Sequence, residues 1–201
     1  MSGRGAFIVL EGIDGSGKST HIRLLCRDLG QRGHDVLRTT EPSRGRGGRF
    51  IREYMKRGRG RLPAEAEALL FAADRFEHVR RVIEPALRRG RIVVSDRYVH
   101  SSLAYQGAEG AGLDWIREVN GFAPRPDLCI LLDVSPETGM GRMRRRRRTV
   151  FEAYAYQQRV RALYLRFVEE GELARVDADR PVDEVHRDIL ALVQKALESR
   201  K

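Results

Sequence analysis

Short unbroken apolar runs alternate along this chain with segments whose apolar residues recur every three or four positions. The run Ala6-Phe7-Ile8-Val9-Leu10 is β-branched and continuous, which predicts a strand covered on both faces of a parallel sheet. Downstream, Ile22, Leu25, Cys26 and Leu29 fall at i, i+3, i+4 and i+7, the apolar stripe of a helix lying on that sheet. Four more buried-strand candidates follow at Val36–Thr40, Ile92–Ser95, Leu128–Leu132 and Leu173–Val176. Helical patterns separate them. One opens at Pro63, with the proline expected in its first turn. Ser135-Pro136-Glu137 predicts an N-cap, a first-turn proline and an acidic residue at the positive helix end, and Asp179-Arg180-Pro181 predicts a second start of the same kind. Strand–helix alternation predicts an α/β fold, a doubly wound five-stranded parallel sheet flanked by helices. There is no internal repeat and no linker, so residues 1–201 are expected to form a single domain.

Between the first strand and the first helix stands GIDGSGKST, residues 12–20. Gly12, Gly17, Lys18 and Ser19 fit G-x-x-x-x-G-K-[ST], the phosphate-cradling P-loop, in its proper strand–helix context. The glycines let several backbone N–H groups point at one anion, and the helix N-terminus adds partial positive charge. Lys18 supplies a cation for the β- and γ-phosphates, and Ser19 a hydroxyl for magnesium. The nucleotide-binding set is therefore Gly12, Ile13, Asp14, Gly15, Ser16, Gly17, Lys18, Ser19 and Thr20. Ligands of open α/β sheets sit beyond the carboxyl ends of strands. Two further strand ends carry chemistry there: Thr40-Glu41-Pro42 and Ser95-Asp96-Arg97-Tyr98. Asp96 lies where a P-loop enzyme needs its magnesium-side carboxylate, and Arg97 can fork onto a phosphate. Asp133, after the fourth strand, is a rival for the carboxylate role. It precedes a capped helix and is read as structural.

At 201 residues with 41% apolar composition the chain can bury a real core, and no apolar run reaches membrane-spanning length. Its opening apolar stretch is too short for a signal peptide. Cys26 and Cys129 are far apart, which favours buried thiols in a reducing, cytoplasmic setting. The five histidines lack metal-ligand spacing. The net charge is +10, and only Lys18, Lys56, Lys195 and Lys201 of the 38 basic residues are lysine. That balance, with the biased stretches Arg44–Arg49 and Gly141–Arg148, leaves open a P-loop ATPase that binds nucleic acid. Against it, aromatics do not interleave with the basic runs.

VLEGIDGSGKST, TEP, LLFAADR, SDRY with SSLAYQG, RPDLCILLDV, FEAYAYQQRVRALY and VDA occur here in an order and spacing that resemble the thymidylate kinases along nearly the whole chain. The resemblance implies a five-stranded parallel sheet wrapped by helices, usually as a homodimer. It implies transfer of the γ-phosphoryl of ATP to thymidine monophosphate (dTMP) with magnesium, giving dTDP. It places Asp14 near the 3′-hydroxyl, Phe71 on the thymine ring and Arg75 as donor to a base carbonyl. Arg97 becomes the clamp on the acceptor phosphate, Ser102 and Gln106 contact the pyrimidine edge, and Tyr105 crowds the 2′ position. Glu41 belongs to the same substrate-side set. Two departures stand out. Many relatives read T-R-E-P where this chain has Thr39-Thr40-Glu41-Pro42, so an arginine is missing at Thr40, with Arg38 or Arg44 as stand-ins. There is also no arginine inside the phosphate loop, which shifts the catalytic cation to a short lid near residues 141–150, at Arg142 or Arg144–Arg148. The catalytic set is then Lys18, Asp96, Arg97, Arg142 and Arg144, with Ser19 and Asp96 toward magnesium. ATP and dTMP are the expected partners, with neither nucleic acid nor membrane. The alternatives within and outside this class are a kinase for another nucleoside monophosphate or a deoxynucleoside, and the nucleic-acid-binding ATPase.

Overall fold

The computed structural model describes residues 4–56, 62–143 and 150–200. Five strands, β1 (Phe7–Glu11), β2 (Val36–Thr40), β3 (Ile92–Asp96), β4 (Leu128–Asp133) and β5 (Ala174–Asp177), form one sheet in the order β2-β3-β1-β4-β5. Every neighbouring pair is parallel. The strands begin and end within a residue or so of the apolar runs. Four of them run one residue further at the carboxyl end, each onto an acid: Glu11, Asp96, Asp133 and Asp177. The apolar pattern cannot announce those acids, because each belongs to the ladder while serving a polar network.

Helices α1 (Lys18–Gln31), α2 (Arg46–Lys56), α3 (Ala64–His78), α4 (Glu84–Arg88), α5 (Val99–Tyr105), α6 (Leu113–Val119), α7 (Pro136–Arg142), α8 (Val150–Glu169) and α9 (Val182–Glu198) cover the sheet. On α1 the predicted stripe is inward: Ile22, Leu25 and Leu29 are buried, and Cys26 packs half-buried on the same core. A π-helical segment, Val79–Ile83, joins α3 to α4. Pro85 follows it and offers no N–H to the turn behind, which favours a widened turn there.

Two predicted helix starts differ in detail. Pro63 and Pro181 are not in the first turn but are the N-cap residues themselves, with extended ψ of 150° and 144°. Their fixed φ leaves the chain extended up to the helix. Asp179 consequently does not cap α9. Its carboxylate accepts from the Ser135 N–H at 3.1 Å, tying the β5–α9 loop to the start of α7. Ser135 caps as expected, its Oγ accepting from Thr138 N–H at 3.1 Å.

β1 is buried along its length between β3 and β4; the connection from it runs to β2 beyond β3, while the connection from β3 runs to β4 on the other side. The crevice at its carboxyl end is the topological switch point. There the loop after β1 abuts α7. A Cβ on Gly15 (φ 81°) would meet Gly139 O at 2.1 Å, and a Cβ on Gly139 would meet Asp14 O at 2.6 Å. Gly139→Ala is therefore expected to force helix and loop apart and cost about 1–3 kcal/mol of stability. Gly141→Ala, where an added Cβ meets nothing within 4 Å, should be neutral or stabilising by roughly 0.5–1 kcal/mol. Denaturant unfolding of the two variants side by side checks the contrast.

Candidate active site

Gly12, Gly15 and Gly17 all carry positive φ, and the loop closes with Ser16 N–H donating to Ile13 O at 3.3 Å. Lys18, the first residue of α1, folds back over it. Its Nζ donates to Gly12 O and Ile13 O, each at 2.9 Å, and to Ser16 Oγ at 3.3 Å. Burial, and then the charge of Arg97, push the Lys18 ammonium down to about 8, against the pull of Asp96, Asp14 and Glu11. A cavity of about 450 Å³ opens over this loop and takes in Ser19, Thr20, Glu41, Asp96, Arg97 and Arg142 as well.

The pair expected to face magnesium is in contact. Ser19 Oγ donates to Asp96 Oδ2 at 3.0 Å, bridging the first turn of α1 to the end of β3. Arg97 bonds Asp14 Oδ1 at 2.6 Å, the Tyr105 hydroxyl at 3.1 Å and Ser101 Oγ at 3.1 Å, and its guanidinium lies 4.9 Å from the Tyr105 ring centre. Loop, β3 end and α5 are thus joined through one side chain. Arg142 reaches the cavity from the end of α7, anchored by Nη2 to Ala178 O at 3.0 Å. Arg144 lies outside the described residues, as do the arginines at 145–148.

The expected acceptor residues lie behind this cavity. Arg75 is fully buried, not a solvated charge. Nε donates to Glu41 Oε2 at 2.8 Å, Nη1 to Asn120 Oδ1, and Nη2 to Tyr98 O at 3.0 Å and Ser102 Oγ at 3.1 Å. Four of its five N–H groups are committed, leaving one on Nη1. Glu41 spans the two regions. It lines the phosphate cavity and also holds Arg75 and His78, whose Nδ1 is 3.0 Å from Oε1. Phe71, one turn before Arg75 on α3, is half-buried and is not among the apolar residues packed on the core. Ser102 and Gln106 are buried, and Tyr105 is half-buried. Arg38 and Arg44 border a second cavity, of about 760 Å³, which shares Ser19, Thr40 and Asp96 with the first.

Asp133 is structural as read. Arg161 and Arg175 both bond it, at 2.7 Å each, and these contacts hold its carboxyl below the usual range although burial alone would raise it. Sequence reasoning assigned no role to Glu11, Asp74 and Asn120. Asp74 accepts from both Ser43 N–H (2.6 Å) and Ser43 Oγ (2.5 Å), fixing the chain beyond β2. A charged residue closing a wholly apolar strand, as Glu11 does, was the one signal available.

Among the described residues no cluster of three or more His, Cys, Asp or Glu could hold a metal ion. A hydroxyl and a carboxylate in contact do suit magnesium, a hard cation that keeps several waters and shares its shell with substrate phosphates.

A family model described as thymidylate kinase matches residues 10–189. The chain is 48% identical over 201 residues to the probable thymidylate kinase of Pyrococcus abyssi, covering 96% of this chain and 98% of that one. It is 47% identical to the probable thymidylate kinase of Thermococcus onnurineus, with 95% and 98% coverage. The probable thymidylate kinase of Pyrobaculum calidifontis is 44% identical over 194 residues, with 96% and 98% coverage.

The buried lysine gives two pH effects of opposite sign. An unfolded chain keeps Lys18 protonated up to about 10.5, while burial in the folded chain brings its release down to about 8. Between those values the unfolded state binds more protons, so Lys18's contribution to stability rises with pH. Over the same window the charge that meets phosphate is lost, so triphosphate affinity falls. Denaturant unfolding and calorimetric nucleotide titration from pH 7 to 10, each compared with Lys18→Met, should show both trends in the parent protein and neither in the variant.

Proposed function

The chain belongs to the thymidylate kinase family, and on that premise we propose how it moves the γ-phosphoryl group of ATP onto dTMP, giving dTDP and ADP on the route to dTTP. The observation that carries this reading is one cavity in which the phosphate loop, the Ser19–Asp96 pair and Arg97 meet, joined through Glu41 and Tyr105 to the acceptor residues.

The nucleophile is an oxygen of the dTMP phosphate. A phosphate monoester with a second pKa near 6 is already largely dianionic at neutral pH, so no general base is required. The protein's task is to bring two polyanions together and neutralise charge as it shifts. The glycine-rich loop, residues Gly12 to Thr20, receives the ATP phosphates. Lys18 exchanges its loop carbonyls for phosphate oxygens. Arg97 holds the acceptor phosphate, and Asp14, already bonded to Arg97, stands beside the sugar 3′-hydroxyl. Arg142, at the cavity mouth, supplies charge that the loop itself lacks, together with Arg144 from the lid. Magnesium, held by Ser19 and Asp96, would neutralise charge across the β- and γ-phosphates.

On the acceptor side Phe71 offers a flat face to thymine. The remaining Nη1 N–H of Arg75 suits a carbonyl and not the cytosine amino group. Ser102 orients Arg75, and Gln106 lies one turn further along. Tyr105 fills the space a 2′-hydroxyl would need. A kinase for another nucleoside monophosphate or a deoxynucleoside would not call for this set. The nucleic-acid reading is not favoured by the match to the thymidylate kinases along nearly the whole chain.

We further propose a homodimer through the outer face of α3. Leu69 and Phe76 are about half exposed there, and Phe76 stacks edge-on with the exposed Phe122 at 5.0 Å. Among the described residues no helix is long and apolar enough to cross a membrane. The free thiols of Cys26 and Cys129 suit a reducing cytoplasm.

Two experiments test these readings. The full chain is given ATP, magnesium and each nucleoside monophosphate, and ADP is measured. The expected order is dTMP, then dUMP, with cytidine and purine monophosphates hardly used. Tyr105→Ala should raise relative use of UMP by roughly tenfold, while Tyr105→Phe keeps the bulk and should not. Equal use of CMP or AMP, or turnover only with RNA or DNA, would refute the assignment. For assembly, Leu69→Lys with Phe76→Lys should convert a dimer to a monomer by light scattering; a parent protein that is monomeric refutes that face.

A further inference from the structure

Arg97 is the one non-glycine residue with positive φ among the described residues, at 72°. A side chain in that region costs on the order of 1 kcal/mol or more, so the surroundings must impose it. Its N–H donates to Leu10 O at 3.0 Å, and Ser95 Oγ donates to its carbonyl at 2.8 Å. The exit from the turn is held differently. Tyr98 N–H and Ser101 N–H both donate to one oxygen of Glu11, at 2.8 and 3.1 Å. The other oxygen accepts from Ser101 Oγ at 2.6 Å and from the Tyr164 hydroxyl at 2.8 Å. Four donors converge on a carboxylate with no solvent exposure.

The proton inventory orders what lies above. The single Ser101 proton goes to Glu11 or to the Tyr164 hydroxyl, 3.1 Å away, so Ser101 Oγ presents only lone pairs toward Arg97. There Arg97 Nη1 donates, at 3.1 Å. The carboxylate at the end of β1 therefore sets the backbone after Arg97 and, through Ser101, the direction of its guanidinium.

We propose that Glu11 is a positioning residue for phosphoryl transfer: it holds Arg97 in the left-handed turn and aims its guanidinium at the acceptor phosphate. This rests on the reading of Arg97 as the acceptor-phosphate clamp. Glu11→Gln keeps the size and replaces one oxygen by a donor. If the amide nitrogen faced Tyr98 and Ser101 N–H, donor would oppose donor with no remedy. It therefore turns to Ser101 and Tyr164, whose hydroxyls must now accept. The Ser101 proton is then left with two directions, the Tyr164 hydroxyl 3.1 Å away and the side facing Arg97, and in the second it opposes the guanidinium.

The test is steady-state kinetics of the full chain with ATP and dTMP. Glu11→Gln is expected to lower kcat/KM for dTMP by roughly tenfold to a hundredfold, as misplacement of a charged group does. KM for ATP should stay within about twofold. In an Arg97→Ala background the same change should lower kcat/KM by no more than about twofold, because the two act as one unit. Ser101→Ala, which spares the two amide bonds, should give a smaller loss that is likewise non-additive with Arg97→Ala and serves if Glu11→Gln does not fold. Losses that multiply in the Arg97→Ala background, or a matching rise in KM for ATP, would overturn the role of Glu11 alone. An Arg97→Ala enzyme with normal kcat/KM for dTMP would overturn the clamp reading and this proposal with it.

Discussion

A buried charge must meet its counterpart or a full set of hydrogen bonds, and this fold gathers buried charge around the carboxyl end of a single strand. Glu11 has its four donors, Lys18 its loop carbonyls and Arg75 its Glu41 and three further acceptors. The first two sets fix the turn after β3 and the phosphate loop at the end of β1, and the third ties the long helix α3 to the segments that follow β2, β3 and α6. The apolar sheet brings the pieces near one another, and the polar pairs decide how they face.

What could be read from the sequence follows that division. Strand positions were legible because burial on both faces leaves no room for polar residues, as along Phe7–Leu10. The phosphate loop was legible because its backbone geometry demands glycine at Gly12, Gly15 and Gly17. The Ser19–Asp96 contact was legible from strand-end logic. The three-dimensional partners of Arg75 were not. Glu41, Tyr98, Ser102 and Asn120 are 23 to 45 positions away from it in the chain, and nothing in the local pattern marks a buried arginine as different from an exposed one. The same holds for Glu11, whose partners are 87 to 153 positions away. Cap details at Pro63 and Pro181 escaped for a smaller reason: a proline fits both the cap and the first turn, and only ψ distinguishes them.

The arginine-heavy composition takes on a different meaning in this setting. At Arg75 and Arg97 the planar fork reaches several acceptors at once, from different elements, and keeps its charge when buried. Lysine at either place would offer a single point of attachment and would shed its proton more readily, as the lowered Lys18 already illustrates. Lys18 sits where a mobile point charge is wanted and a fixed fork is not. Arginine therefore serves where several elements must be joined, and lysine where a charge must change partners.

The cavity's cations are held in a way that suits the proposed exchange of partners. Its cations are not left bare: Lys18 rests on loop carbonyls, Arg97 on Asp14, and Arg142 on Ala178 O. Each of these contacts is with a neutral carbonyl or with a carboxylate that is half exposed to water. Phosphate oxygens carry more charge than the carbonyls, so on the proposed mechanism they displace them at small cost from cations that are already desolvated. The deeply buried pairs, Glu11 with its donors and Arg75 with Glu41, offer no such exchange, since removing either partner would strand a charge in the core. The fold thus separates charge that holds the site from charge that uses it, and the boundary between the two runs through Arg97. Its carbonyl is held from below by Ser95 and the N–H that follows it by Glu11, while its guanidinium shares a half-exposed carboxylate above.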